Sequence, residues 1–179
     1  MGQLHASKGV HNLVYAAKIL KKKGIRDFVV VIAGKGHEKE NLKKLITESN
    51  TEEHFRLLDF VSYDELPNIY NISDVFILPS YPTLTWQEQF GMVLIEAMAC
   101  GKPVISTYSG SIPEVVGDAG LLISPGNFFQ LADTILYIMD NKELGVRLGE
   151  KGRERVVMNF DAKKNALKFY NIYKDILNT

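Results

Sequence analysis

The 179 residues suffice for one generous domain, or at most one and a half. Apolar residues make up 46% and charged residues 23%, the balance of an ordinary globular protein, and 21 basic against 21 acidic side chains leave a formal net charge of zero. That leaves no basic excess to grip a polyphosphate backbone and argues against a nucleic-acid partner.

Met1 to Leu4 reads as the end of a strand with nothing before it, and it leads directly into Ser7-Lys8-Gly9. Val10, Leu13, Val14, Ala17 and Leu20 recur at helical spacing and close in Lys21-Lys22-Lys23-Gly24. The lysine run complements a helix dipole and reads as a solvated cap. Phe28 to Ala33 (FVVVIA) is a continuous β-branched run, which predicts a strand covered on both faces. Gly34-Lys35-Gly36 is a turn, and Glu38 to Ser49 a polar helix with Leu42, Leu45 and Ile46 inward. Phe55 to Val61 predicts a strand, Asp64 to Tyr70 a short helix, and Val75 to Leu78 a strand ending at Pro79-Ser80. Gly91 to Cys100 is a helix so apolar that almost every face should be buried. Pro103 to Ser106 is a strand, Ile112 to Val116 a helical turn, and Leu121 to Ile123 a last short strand. From Phe128 onward the pattern is all helix, with Ala166, Phe169, Tyr170, Tyr173 and Ile176 on one stripe.

Strands alternating with helices mean a parallel, doubly wound α/β sheet, here one domain over 1–179 with extra helices at its carboxyl end. Ligands bind such sheets at the carboxyl ends of the strands. The loops of interest therefore follow Leu4, Ala33, Val61, Leu78 and Ser106. No apolar stretch reaches the roughly 18 residues that span a bilayer, and the amino terminus lacks a signal-peptide core. The single cysteine, Cys100, excludes an internal disulfide framework, fits a reducing compartment and reads as a small buried apolar residue. A cytoplasmic location is expected, with membrane contact only through a domain outside these residues.

Familiar chemistries fail on spacing. Gly34-Lys35-Gly36 lacks the third small residue of a dinucleotide fingerprint, and no Ser or Thr follows a Gly-Lys as in a P-loop. His5, His11, His37 and His54 show no metal-ligand spacing with cysteine or carboxylates. Asp59 and Asp74 read as turn and cap residues. What remains is EQFGMVLIEAMACGKPV, residues 88 to 104. Phe90-Gly91 opens a helix whose first amides have no internal partner and carry the positive end of the dipole, an anion site that Gly91 leaves accessible. Glu96, on the second turn, is a carboxylate among apolar neighbours. It either accepts hydrogen bonds from a vicinal diol such as a ribose, or pairs with a lysine or caps a loop. Lys8, at the same sheet edge, either neutralises a diphosphate near Gly91 or is solvated. Trp86, the only tryptophan, either stacks on a sugar or packs on the domain surface.

Glu88 to Val104 resembles the E-x7-E signature of the retaining, group 1 glycosyltransferases of the GT-B fold. Ser109-Gly-Ser-Ile-Pro-Glu-Val-Val is similar to that family's G-G-x-P-E-V-V segment, and Gly2-Gln-Leu-His-Ala-Ser-Lys8-Gly9 to its G-R-L-x-x-x-K-G start. Glu65-Leu66-Pro67, Ser73-Asp74-Val75-Phe76 and Gly117-Asp-Ala-Gly120 also fit. The resemblance is to one of two Rossmann-like domains, the carboxyl-terminal half that binds the donor. The amino-terminal acceptor domain is absent from these residues. It implies transfer of a sugar from a nucleoside-diphosphate sugar to a hydroxyl, with no separate cofactor and no metal. By the same resemblance Lys8 and Glu88 are catalytic, Lys8 on the diphosphate and Glu88 on sugar hydroxyls. Glu96 holds the ribose. The amides of Phe90, Gly91, Met92 and Val93 hold sugar and phosphate oxygens, and the backbone near Val61 reads the base. Gln3 and Gly34 complete the implied donor site.

Two residues depart from the family pattern. Gln3 stands where the family has a second diphosphate cation, and donates without charge. Ser111 replaces the second glycine of G-G-x-P-E. The alternatives are a non-catalytic sugar-nucleotide-binding module or subunit of a split transferase, and an epimerase of the same architecture. The final helix, which in the family crosses to the other domain, is expected to pack its stripe on this domain or on a second copy.

Overall fold

Five short apolar runs become parallel strands, and the 3.6-period segments become helices. The computed structural model describes residues 2–177. In chain order these form α1 (Val10–Lys22), β1 (Val30–Ala33), α2 (Lys39–Glu48), β2 (Phe55–Leu58), α3 (Leu66–Asn71), β3 (Phe76–Leu78), α4 (Met92–Ala99), β4 (Val104–Thr107), α5 (Ile112–Val116), β5 (Leu121–Ile123), α6 (Phe128–Asp140), α7 (Lys142–Asn159) and α8 (Ala162–Leu177). Single 3-10 turns at Ala6–Lys8, Glu52–His54 and Tyr63–Glu65 precede α1, β2 and α3.

Two parallel sheets result, β1-β2 and β3-β4-β5. Alternate residues of the strands feed two cores. Ile105 and Ile123 join Leu13, Val14, Leu20, Leu42, Ile46 and Leu131 on one side. Phe76, Leu78 and Val104 join Tyr70, Leu94, Met98, Ile112 and Val116 on the other. The sheet is therefore doubly wound, with α1, α2 and α6 on one face and α3, α4 and α5 on the other. Gly2 to Gly9 ties the sheets together at their carboxyl ends. Gly2 N donates to Ala33 O, Leu4 N to Lys35 O, and Tyr81 N to Ser7 O.

Several expectations are corrected. Gly2–Leu4 forms no strand, although it hydrogen-bonds beside β1; Met1 lies outside the described residues. The FVVVIA strand begins at Val30 rather than Phe28 and is not covered on both faces. Val29 is 57% and Val31 41% exposed, because Phe28, Val30 and Ile32 turn to the core and the alternate residues project from the opposite face. The next strand ends at Leu58, not Val61. Asp59 is no simple turn residue: it pairs with Lys39, which holds its carboxyl below the usual range. The lysine run is partly engaged, Lys21 with Glu53 at 2.9 Å and Lys23 with Asp133 at 2.7 Å. Cys100 is only partly buried, and burial pushes its thiol up, away from thiolate. No residue of α8 is buried, so the first of the two settings expected for its stripe, packing on this domain, is not borne out. Among the described residues no helix is long and apolar enough to cross a membrane.

Candidate functional site

The loops at the carboxyl ends of β3 and β4 converge on one carboxylate. Glu88 is 6% exposed. Its Oε2 accepts from Lys8 Nζ at 2.7 Å and from Ser80 Oγ at 3.0 Å. Lys8 and Glu88 are 80 residues apart in sequence, and the parallel topology alone brings them together. Lys8 ends the 3-10 turn before α1, whereas Glu88 lies in the loop between β3 and α4. The ion pair compensates the burial of Glu88, and Ser80 satisfies a further lone pair on the same oxygen. Ser80 is itself fixed, since Thr107 Oγ1 donates to its carbonyl.

The backbone of Glu88 is clamped from the other side. Its carbonyl accepts from Ser111 N at 3.0 Å, and a Cβ on Gly110 would lie 1.9 Å from that oxygen. The Ser109-Gly110-Ser111 turn is thus the seat of Glu88. Ser111 sits at φ −84°, ψ 3°, which any residue adopts, so its replacement of the family glycine carries no backbone cost here.

Glu88 also borders the amino terminus of α4. A Cβ on Gly91 would lie 3.7 Å from Glu88 Cγ. Gly91 caps α4 at φ 79°, ψ 52° with no side-chain hydrogen bond to the helix. The first turn keeps its positive dipole end without a side-chain acceptor. Leu94 N is satisfied by Gly91 O at 2.8 Å. Contrary to the expectation of near-complete burial, Met92 on this turn is 57% exposed, and Phe90 before it is partly exposed and edge-on to Phe160 at 5.7 Å. Val93 is half-buried.

Glu96 points elsewhere on α4. Its Oε2 accepts from Tyr70 Oη at 2.7 Å, which replaces the expected alternatives of a lysine or a capped loop. Tyr70 is 2% exposed. Burial, and then the hydrogen bond to Glu96, hold its phenol far above the ordinary range, so it remains a donor at any physiological pH.

Among the remaining residues, Trp86 touches this contact set through Lys8, whereas Gln3, Gly34 and Val61 have no contact with it among the described residues. Trp86 is half-buried, and Lys8 Nζ sits 4.8 Å from its ring centroid. Gln3 is exposed, and its carbonyl accepts from His5 N. Gly34 N donates to Leu58 O, and a Cβ on Gly34 would meet Gly2 O at 1.9 Å, so Gly34 serves close backbone approach. Val61 is half-buried in the loop after β2, next to exposed Phe60, whose ring stands 5.7 Å from Lys35 Nζ. Two clefts of about 520 and 350 Å³ lie away from these residues, one at the amino end of β1 and one between α1 and α2. Sequence reasoning missed Tyr70, Ser80 and Thr107. Ser80 and Thr107 carried a signal, being polar at the carboxyl ends of strands; Tyr70 carried none.

The chain matches a model of the family "Glycosyl transferases group 1" over residues 1–155. It is 34% identical over 173 residues to N-acetyl-alpha-D-glucosaminyl L-malate synthase of Bacillus anthracis, covering 95% of this chain and 43% of that protein. The chain thus spans less than half the length of that curated relative. Among solved structures, sucrose-phosphate synthase of Thermosynechococcus elongatus superposes with a TM-score of 0.86 at 28% identity, over 99% of this chain and 45% of that one. The C-terminal domain of a group 1 glycosyl transferase, LpcC of Francisella tularensis, matches in fold with a TM-score of 0.78 at 24% identity, over 90% of this chain and 84% of that one. The fold is the Rossmann-like carboxyl-terminal domain of the GT-B architecture, and the chain belongs to the group 1 glycosyltransferases.

Proposed function

We propose that this chain is the donor-binding domain of a retaining glycosyltransferase, taking a nucleoside-diphosphate sugar whose sugar is passed to an acceptor hydroxyl. The observation that carries the reading is the 2.7 Å pairing of Lys8 with Glu88 beside the amino terminus of α4. A cation and a helix dipole there stand beside the Glu88 carboxylate, and Glu96 follows further along α4. That set suits a ligand with a diphosphate at its centre and hydroxyls at both ends.

In the reaction the bond between the anomeric carbon and the diphosphate breaks, and the acceptor oxygen forms the new bond as its proton leaves. Negative charge develops on the departing diphosphate. Lys8 and the first-turn amides of α4 neutralise it without a metal, which is the electrostatic stabilisation that counts most where water is excluded. Glu88 accepts from sugar hydroxyls and Glu96 from the ribose, while backbone near Val61 meets the base. Retention of configuration follows from the resemblance of the Glu88–Glu96 segment. The acceptor is held by an amino-terminal domain outside these residues, and this domain alone turns over little substrate.

Calorimetric titration with UDP, GDP and ADP and their common sugar conjugates tests the reading. One nucleotide is expected to bind, and to lose most of its affinity in Glu96→Gln and in Lys8→Ala. Absence of binding by the unaltered domain at millimolar concentration overturns it.

A further inference from the structure

If Glu96 meets a diol, something must aim its carboxylate. A carboxylate offers about four lone-pair sites on two oxygens, and on an exposed stem it rotates freely among them. Here one oxygen is already engaged. Tyr70 Oη donates to Oε2 at 2.7 Å, and Oε1 has no hydrogen-bond partner among the described residues. The same hydroxyl lies 3.4 Å from Val93 O, one helical turn before Glu96.

The phenol is itself held rigidly. The Tyr70 ring is 2% exposed within the core shared by α3, β3 and α4, and edge-on to Phe76 at 5.4 Å. Its position near the end of α3 is fixed by Tyr70 O, which accepts from Ser73 Oγ at 2.7 Å and from Ser73 N at 3.1 Å. A buried donor with so little freedom transmits its own position to whatever it bonds, and in a desolvated setting such a bond is strong.

We propose that Tyr70 is a positioning residue for the donor's ribose, fixing the rotation of the Glu96 carboxylate so that Oε1 is presented to the vicinal hydroxyls. The inference rests on the reading of Glu96 as the ribose acceptor. Tyr70 touches no substrate. Its contribution is selectivity: a pre-aimed acceptor rewards a ligand that carries the hydroxyls and penalises one that lacks them. A tyrosine that merely pins α3 to α4 would instead affect all ligands alike.

The test compares dissociation constants of whichever of UDP, GDP or ADP binds with those of its 2′,3′-dideoxy analogue. Unaltered protein, Tyr70→Phe, Glu96→Gln and the double variant are measured, with melting temperatures alongside. The phenyl ring keeps the buried volume, so Tyr70→Phe is expected to fold. The unaltered domain should prefer the ribonucleotide at least tenfold. Tyr70→Phe should cut that preference several-fold while leaving affinity for the dideoxy analogue unchanged. Glu96→Gln should abolish the preference, and Tyr70→Phe should then add nothing to it. Tyr70→4-aminophenylalanine, which restores a donor on the same ring, should recover part of the preference and provides the measurement if the phenylalanine variant does not fold.

An undiminished preference in Tyr70→Phe, with Glu96→Gln losing it, overturns the role of Tyr70 alone. Equal weakening toward both ligands marks Tyr70 as structural and overturns it as well. A preference that survives Glu96→Gln removes the reading of Glu96 and the proposal with it.

Discussion

Lys8 and Glu88 neutralise each other at 2.7 Å, and the Trp86 ring lies 4.8 Å from the same ammonium. A nucleoside diphosphate entering beside Gly91 must compete with Glu88 for that ammonium, and its charge is repelled by the same carboxylate. Glu88→Gln keeps the shape and the Ser80 bond but removes the charge. We expect it to bind a nucleoside diphosphate about tenfold more tightly, roughly 1.4 kcal/mol, while the extra affinity of the sugar conjugate shrinks because the amide accepts sugar hydroxyls less strongly. Emission of Trp86, the only tryptophan, supplies the readout, since drawing Lys8 toward phosphate removes the cation from its ring. Weaker diphosphate binding in Glu88→Gln would mean that Glu88 orients Lys8 instead of competing with its ligand.

At the level of elements, the site depends on loops meeting backbone to backbone. Gly110 has φ +55°, and a Cβ there would meet Glu88 O at 1.9 Å. Gly110→Ala therefore combines a strained conformation with a collision that cannot be relieved without moving Glu88. It is expected to cost more than about 2 kcal/mol, a drop in Tm on the order of 5 °C or more, and to weaken nucleotide binding. Ser111→Gly should leave both nearly unchanged; thermal melts of the two variants check the pair. The sequence segment Ser109-Gly-Ser-Ile-Pro-Glu was visible as a motif, but its purpose was not, because the partner oxygen lies 22 residues back at Glu88. Local signals were readable: apolar runs marked all five strands, β3, β4 and β5 to within a residue and β1 and β2 with one boundary displaced, and helical spacing marked α1, α2 and α4. Neighbourhood was not. FVVVIA announces a strand, yet a run of valines does not say that only β2 will pair with it. Likewise Glu96 advertised an unmet need, while Tyr70, 26 residues away on a different helix, looked like an ordinary core tyrosine.

At the scale of the whole molecule, α7 and α8 differ in kind. α7 is integral: Gly152 lets it approach Met98 of α4, and a Cβ on Gly149 would strike Gly101 O at 2.0 Å. Val156 completes the core under α4. α8 contributes nothing comparable. Leu167, Phe169, Tyr170, Ile172, Tyr173, Ile176 and Leu177 are between 52% and 84% exposed, all on one sixteen-residue helix. Apolar surface stabilises a fold by about 25 cal/mol for each Å² removed from water, and surface left in water contributes none of that. Removing α8 should therefore leave this domain almost as stable as before, whereas keeping it exposes these seven large apolar side chains on one helix. We expect the chain ending at Asp161 to melt within a few degrees of the full chain. Light scattering of the full chain should show mass rising with concentration, and the shortened chain should stay monomeric over the same range. A shortened chain that fails to fold would place α8 in the folding core. A full chain that stays monomeric at every concentration would mean that the exposed stripe is too mobile or too well solvated to bind itself.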